Sequence, residues 1–119
     1  MQEYRLGEVE TRFARLIWEN EPIPSGELVK RAEAELNWKK STTYTVLRRL
    51  CERGIFRNDN GTVTSLISRE ELEGIQTEQF VDETFGGSLP QFFAAFARRK
   101  KLTDGEIAEL KRLIEENRR

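Results

Sequence analysis

The sequence predicts a mainly α fold carrying one small β-hairpin, in the order three helices, hairpin, three further helices. Apolar residues recur every three or four positions through most of the chain, the spacing of helices with one buried face. That spacing breaks between Ile55 and Ile67, where Asn60-Gly61 separates two strand-like runs in the pattern of a tight hairpin. Ahead of it, two short helical stretches are joined only by Asn37-Trp38-Lys39-Lys40, the length of a helix-turn-helix connection.

Taken in order, Leu6, Val9, Phe13, Leu16 and Ile17 define a first amphipathic helix from Gly7 to Asn20. Pro22 and Pro24 forbid helix and leave a short extended link. Ser25 is the expected N-cap of a second helix, whose inner face is Leu28, Val29, Ala32 and Leu36. The third helix runs from Ser41 to Arg53, and Gly54 closes it as a left-handed residue would. Ile55-Phe56-Arg57 and Thr62 to Ile67 are the hairpin strands. Three helices and such a hairpin make a winged helix-turn-helix, expected over residues 1–67.

Residues 68–119 read as a helical region. Ser68-Arg69-Glu70-Glu71 is a capping box, and Gly86-Gly87 is the terminator of the helix that it opens. Ser88-Leu89-Pro90 starts another helix, and Thr103-Asp104-Gly105-Glu106 caps the last. The apolar side chains here are Phe80, Phe85, Phe92, Phe93, Phe96, Ile107, Leu110 and Ile114. Three short helices cannot enclose so many alone, so a second copy of the chain is the expected partner and these residues the expected dimerisation surface.

The third helix has two unlike faces. Thr43, Val46, Leu47 and Leu50 form a core stripe, while Ser41, Tyr44, Thr45 and Arg48 lie opposite, with Thr42 and Arg49 on the flanks. A solvated helix face normally carries Glu and Lys; hydroxyls with arginines suit phosphates and base edges. Lys39 and Lys40 stand where the positive end of the helix dipole already draws anions. Arg57 can reach a phosphate from the hairpin. The DNA-contacting set is therefore Lys39, Lys40, Ser41, Thr42, Tyr44, Thr45, Arg48, Arg49 and Arg57. Thr43, Trp18 and Trp38 read as packing residues and Cys51 as inert. Arg98-Arg99-Lys100-Lys101 reads as a solvated helix end.

Net charge is only −1, which by itself gives DNA binding no support. Its distribution does: between Asn37 and Arg57 six cations face Glu52 alone, so the positive charge is local, as an electrostatic footprint should be. The chain has no histidine and a single cysteine. That removes an internal disulfide framework, a Cys/His zinc site and any histidine-dependent nucleophile, and no phosphate-cradling glycine loop is present. No metal, cofactor or enzymatic activity is expected. With 37% hydrophobic residues there is enough for a modest core, yet no run approaches the roughly 18 apolar residues of a membrane helix. Met1 to Arg5 carries no long apolar signal core, so a cytoplasmic protein with no membrane partner is expected.

The order of these elements and several local strings resemble the BlaI/MecI (penicillinase repressor) family of bacterial transcriptional regulators. The strings are Gly7-Glu8-Val9-Glu10 running into Leu16-Ile17-Trp18, Trp38 ahead of the third helix, Leu47-Arg48-Arg49-Leu50 closing with Arg53-Gly54, Phe85-Gly86-Gly87-Ser88-Leu89, and Leu102-Thr103 through Ile114. The resemblance covers nearly the whole chain. It implies a homodimeric repressor that reads a palindromic operator in double-stranded DNA through the third helix and wing, with TACA/TGTA-like half-sites, and that dimerises through the C-terminal helices. It also implies a regulatory protease as partner, cutting near Ala95-Phe96; family examples carry Asn before that Phe. The copper-responsive branch has a C-terminal cysteine cluster, which this chain lacks. The competing reading is a winged helix used only as a protein–protein interaction module, which leaves the local charge and the hydroxyl face unexplained.

Overall fold

Helical spacing puts Phe13, Ala14, Leu16 and Ile17 on one face of helix α1 (Glu8–Asn20), and all four are buried. They begin the main core in a computed structural model that describes residues 4–118. Met1, Gln2 and Glu3, part of the N-terminal stretch expected to carry no signal core, lie outside the described residues. Helix α2 (Ser25–Leu36) adds Leu28 and Ala32, and α3 (Lys40–Glu52) adds Val46, Leu47 and Leu50. Ile55, Phe56 and Val63 close the core from the sheet. Fully burying a side chain of this size is worth about 1.5–3 kcal/mol, so these residues dominate the stability of the unit.

Strands β2 (Phe56–Asp59) and β3 (Thr62–Ser65) pair antiparallel, with Asp59 opposite Thr62. That register leaves Asn60-Gly61 as a two-residue turn, at φ 53° and 92°, the two positive values that a type I′ turn demands. The hairpin expected from Asn-Gly is therefore present. The extended link between the prolines does more than span a gap. Ile23–Pro24 is strand β1, antiparallel to β3 with Ile23 opposite Val63, giving a sheet of order β1-β3-β2. Its anchor is Glu21, whose carboxylate Oε1 accepts from the Ser65 N–H and hydroxyl, both at 2.8 Å.

Ser25 is not the N-cap of α2. Pro24 holds that position, and Ser25 is the first helical residue, its N–H donating to the Gly61 carbonyl at 2.8 Å. The sheet takes the segment up to Pro24 and the helix follows at once, so it starts one residue earlier than a serine cap would set it.

Both tryptophans pack. Trp38 lies against Phe13 with ring centroids 5.0 Å apart, and Trp18 against Phe56 at 5.4 Å, its indole N–H donating to the Ile67 carbonyl at 3.1 Å. Helix α4 (Arg69–Phe85) opens with the Glu71 N–H donating to Ser68 Oγ. Leu72 is 2% exposed and belongs to the first core, and Gln76 Nε2 donates to the Tyr4 carbonyl. The first compact unit accordingly runs past Ile67 to Thr77.

The second unit starts at Glu78. Gly86 and Gly87, both at positive φ, end α4, and α5 (Leu89–Arg99) follows with Ser88 Oγ accepting from the Gln91 N–H. Helix α6 (Asp104–Asn117) opens with a complete capping box between Thr103 and Glu106. Phe80, Phe85 and Phe92 meet edge-on, with centroids 5.7–6.2 Å apart. Neither α5 nor α6 has a buried residue. No helix among the described residues is long and apolar enough to cross a membrane.

Candidate nucleic-acid interface

The approach to α3 is built by the end of α2. Asn37 adopts the left-handed conformation at φ 58°, its N–H donating to the Glu33 carbonyl, and the Trp38 N–H donates to that of Ala32. With Trp38 fixed on Phe13, the chain turns directly into Lys39, the N-cap, which provides no side-chain acceptor. No acidic residue stands in the first turn either. The first amides of α3 thus face outward without a carboxylate, and two lysines flank them.

The faces divide as the spacing demands. Thr43, Val46, Leu47 and Leu50 are buried, and the Thr43 hydroxyl donates to the Lys39 carbonyl at 3.3 Å. Lys39, Lys40, Ser41, Thr42, Arg48 and Arg49 are exposed, and Thr45 is half-buried. Tyr44 does not project freely from this face. It is half-buried, and its hydroxyl donates to Ser25 Oγ at 3.1 Å.

The cations are not equivalent. Lys39, Lys40 and Arg49 form no ion pair among the described residues. Arg48 lies 3.9 Å from Glu52 with both side chains about 70% exposed, a pairing worth only about 0.3–0.5 kcal/mol and easily exchanged for a phosphate. Arg57 is 3.4 Å from Asp59 on the same strand. Arg53 is turned inward instead: it donates to the Arg5 carbonyl at 2.6 Å and sits 3.7 Å from Glu10. It belongs to the scaffold, so the surface charge is smaller than the sequence window suggests. A cleft of about 300 Å³, lined by Tyr44, Leu47, Arg48, Cys51 and Asn58, lies between α3 and strand β2. Burial pushes the Cys51 thiol up from its ordinary range, the Asn58 backbone opposing this more weakly, so the thiol stays protonated and unreactive near neutrality.

The expected dimerisation residues divide into groups. Phe92, Phe93, Ile107, Leu110 and Ile114 line one apolar groove of about 500 Å³, together with Leu89, Pro90 and Leu102. Phe96 lines an adjoining groove of about 490 Å³. Phe80 and Phe85 contact Phe92 rather than lining either groove. Sequence reading missed Leu89 and Leu102, which lie at a helix start and in a loop, where periodicity gives no signal.

The family model for the penicillinase repressor matches residues 6–116, from the start of α1 almost to the end of α6. The chain belongs to the penicillinase repressor family. A penicillinase repressor from Bacillus licheniformis is similar over its length, 24% identical across 118 residues that cover 96% of this chain and 92% of that protein. Membership in a family of transcriptional repressors fits a winged helix followed by three helices.

Proposed function

We propose that this penicillinase repressor family member binds double-stranded operator DNA as a homodimer, with α3 in the major groove and the wing beside it. One observation carries the reading: α3 begins with uncapped amides flanked by Lys39 and Lys40 and carries Arg49 in its last turn, none of the three ion-paired among the described residues, beside a face of Ser41, Thr42 and Thr45. The cations supply sequence-independent attraction to phosphates, and the hydroxyls and Arg48 supply base-edge contacts. Arg57 adds a wing contact once it releases Asp59. A winged helix serving only protein contacts has no need of this arrangement.

The apolar grooves of α5 and α6 support a second copy as the partner, since a stable monomer rarely leaves Phe93, Phe96, Ile107 and Ile114 together in solvent. Two copies related by a two-fold axis would read an inverted repeat. Release by proteolysis near Ala95–Phe96 is the remaining part of the reading. That bond lies inside α5, so a protease must first open the helix.

The test is selection of duplexes from a random pool by the purified chain, followed by titration of the winner against unrelated DNA. An inverted repeat bound at least about a hundredfold more tightly supports the reading, and equal binding of both duplexes refutes it.

A further inference from the structure

Ser25 belongs to no DNA-contacting set, yet it joins three segments. It is the first residue of α2. Its backbone N–H donates to the carbonyl of Gly61 in the wing turn at 2.8 Å, and its Oγ accepts from the Tyr44 hydroxyl on α3 at 3.1 Å. Gly61 in turn donates its own N–H to Asn58 Oδ1 at 3.0 Å. The helix that reads and the turn that flanks it are thus tied through two atoms of one residue.

The wing turn needs such a tie. Asn58, Asp59 and Asn60 are all exposed, so no core lies beneath them. Beyond its own ladder, the wing is held by the contact of the Asn58 backbone with the Cys51 thiol, and the turn itself by the short pairing of Ile23–Pro24 with β3 and by Ser25. Base-edge readout tolerates displacements of only about 0.5 Å, whereas attraction of lysines to phosphates is long-ranged and hardly notices them.

Resting on the operator-binding reading, we propose that Ser25 is a positioning residue for sequence recognition. It sets the separation of the wing turn from α3 so that both meet one duplex in register. Tyr44 acts through its bond to Ser25, not through a hydroxyl contact to a base. This explains why the phenol is half-buried on a helix face where Ser41 and Arg48 are exposed.

The test uses the full chain and the duplex that the wild type selects from a random pool, with an unrelated duplex as control. Ser25→Ala, Tyr44→Phe, the double variant and Ser25→Thr are titrated on both. Tyr44→Phe removes one oxygen and keeps the ring, so it remains informative should Ser25→Ala prove unstable. Each single variant should bind the selected duplex about two- to tenfold more weakly, the range expected for one neutral hydrogen bond, and bind the unrelated duplex as the wild type does. The double variant should lose no more than either single one, because both delete the same bond, and Ser25→Thr should restore binding. Additive losses, equal losses on unrelated DNA, or a Tyr44→Phe protein that binds as the wild type overturn the inference. A wild type that selects no sequence sinks the operator reading as well; a wild type that selects one while the variants match it sinks only the role of Ser25.

Discussion

The Glu21 carboxylate receives both the backbone N–H and the hydroxyl of Ser65, the residue that ends strand β3. The pair joins the segment after α1 to the far end of the wing, where a two-residue strand alone would hold weakly. Glu21→Ala leaves a part-buried N–H without its acceptor and should cost about 1–3 kcal/mol of stability. Urea denaturation checks this, and Glu21→Gln, which keeps an acceptor oxygen, should recover part of the loss.

Lys40→Ala and Arg49→Ala should each weaken binding to every duplex. Each should also flatten the slope of log K against log salt by about 1 for every phosphate that is no longer neutralised in a half-site. Anisotropy titrations at several salt concentrations read the slope. An Arg49→Ala protein with unchanged slope and affinity would mean that this flank of α3 does not face DNA.

Replacing Thr42 or Thr45 by Ala should act differently from replacing a lysine. The expected cost is about 1–3 kcal/mol confined to particular base pairs, with preference relaxed there and the salt slope preserved. Repeating the duplex selection with each variant identifies the position. Uniform loss across all sequences would move these residues from the reading face to the scaffold.

Phe93→Lys and Ile107→Lys place a charge in the groove between α5 and α6. Because neither side chain is buried in the single chain, both variants should keep their helical content while sedimenting as monomers at micromolar concentration. A monomeric wild type under those conditions would refute the homodimer.

The Cys51 thiol should react with a disulfide reagent far more slowly than free cysteine at neutral pH. Burial holds its proton more tightly in the folded chain than in the unfolded one. The resulting stabilisation is present below the ordinary thiol range and is lost as pH rises through the raised folded value. Unfolding measured at increasing alkaline pH should show that decline in the wild type, and less of it in Cys51→Ala.

Much of this was legible in the residues themselves. Asn60-Gly61 specifies a turn that needs two positive φ angles, and Thr103 with Glu106 specifies a cap, because both depend on neighbours in the chain. The two faces of α3 follow from helical periodicity alone. What could not be read depends on distant partners. Ile23–Pro24 looks like a bare proline link until β3 lies beside it, and Ser25 looks like a cap until Gly61 claims its N–H. Arg53 counts as surface charge until the Arg5 carbonyl and Glu10 turn it inward. Leu72 seems to belong with the later helices until it is found in the first core.

The order β1-β3-β2 has a bearing on the behaviour of the protein at high concentration. It puts the strand with the most partners in the middle and leaves two outer edges. One edge is only Ile23–Pro24, where proline has no N–H to offer. The other is β2, four residues long, with Arg57 and Asp59 exposed along it. Neither edge is a template for a strand from another molecule, so the sheet resists the edge-to-edge growth that leads to fibres.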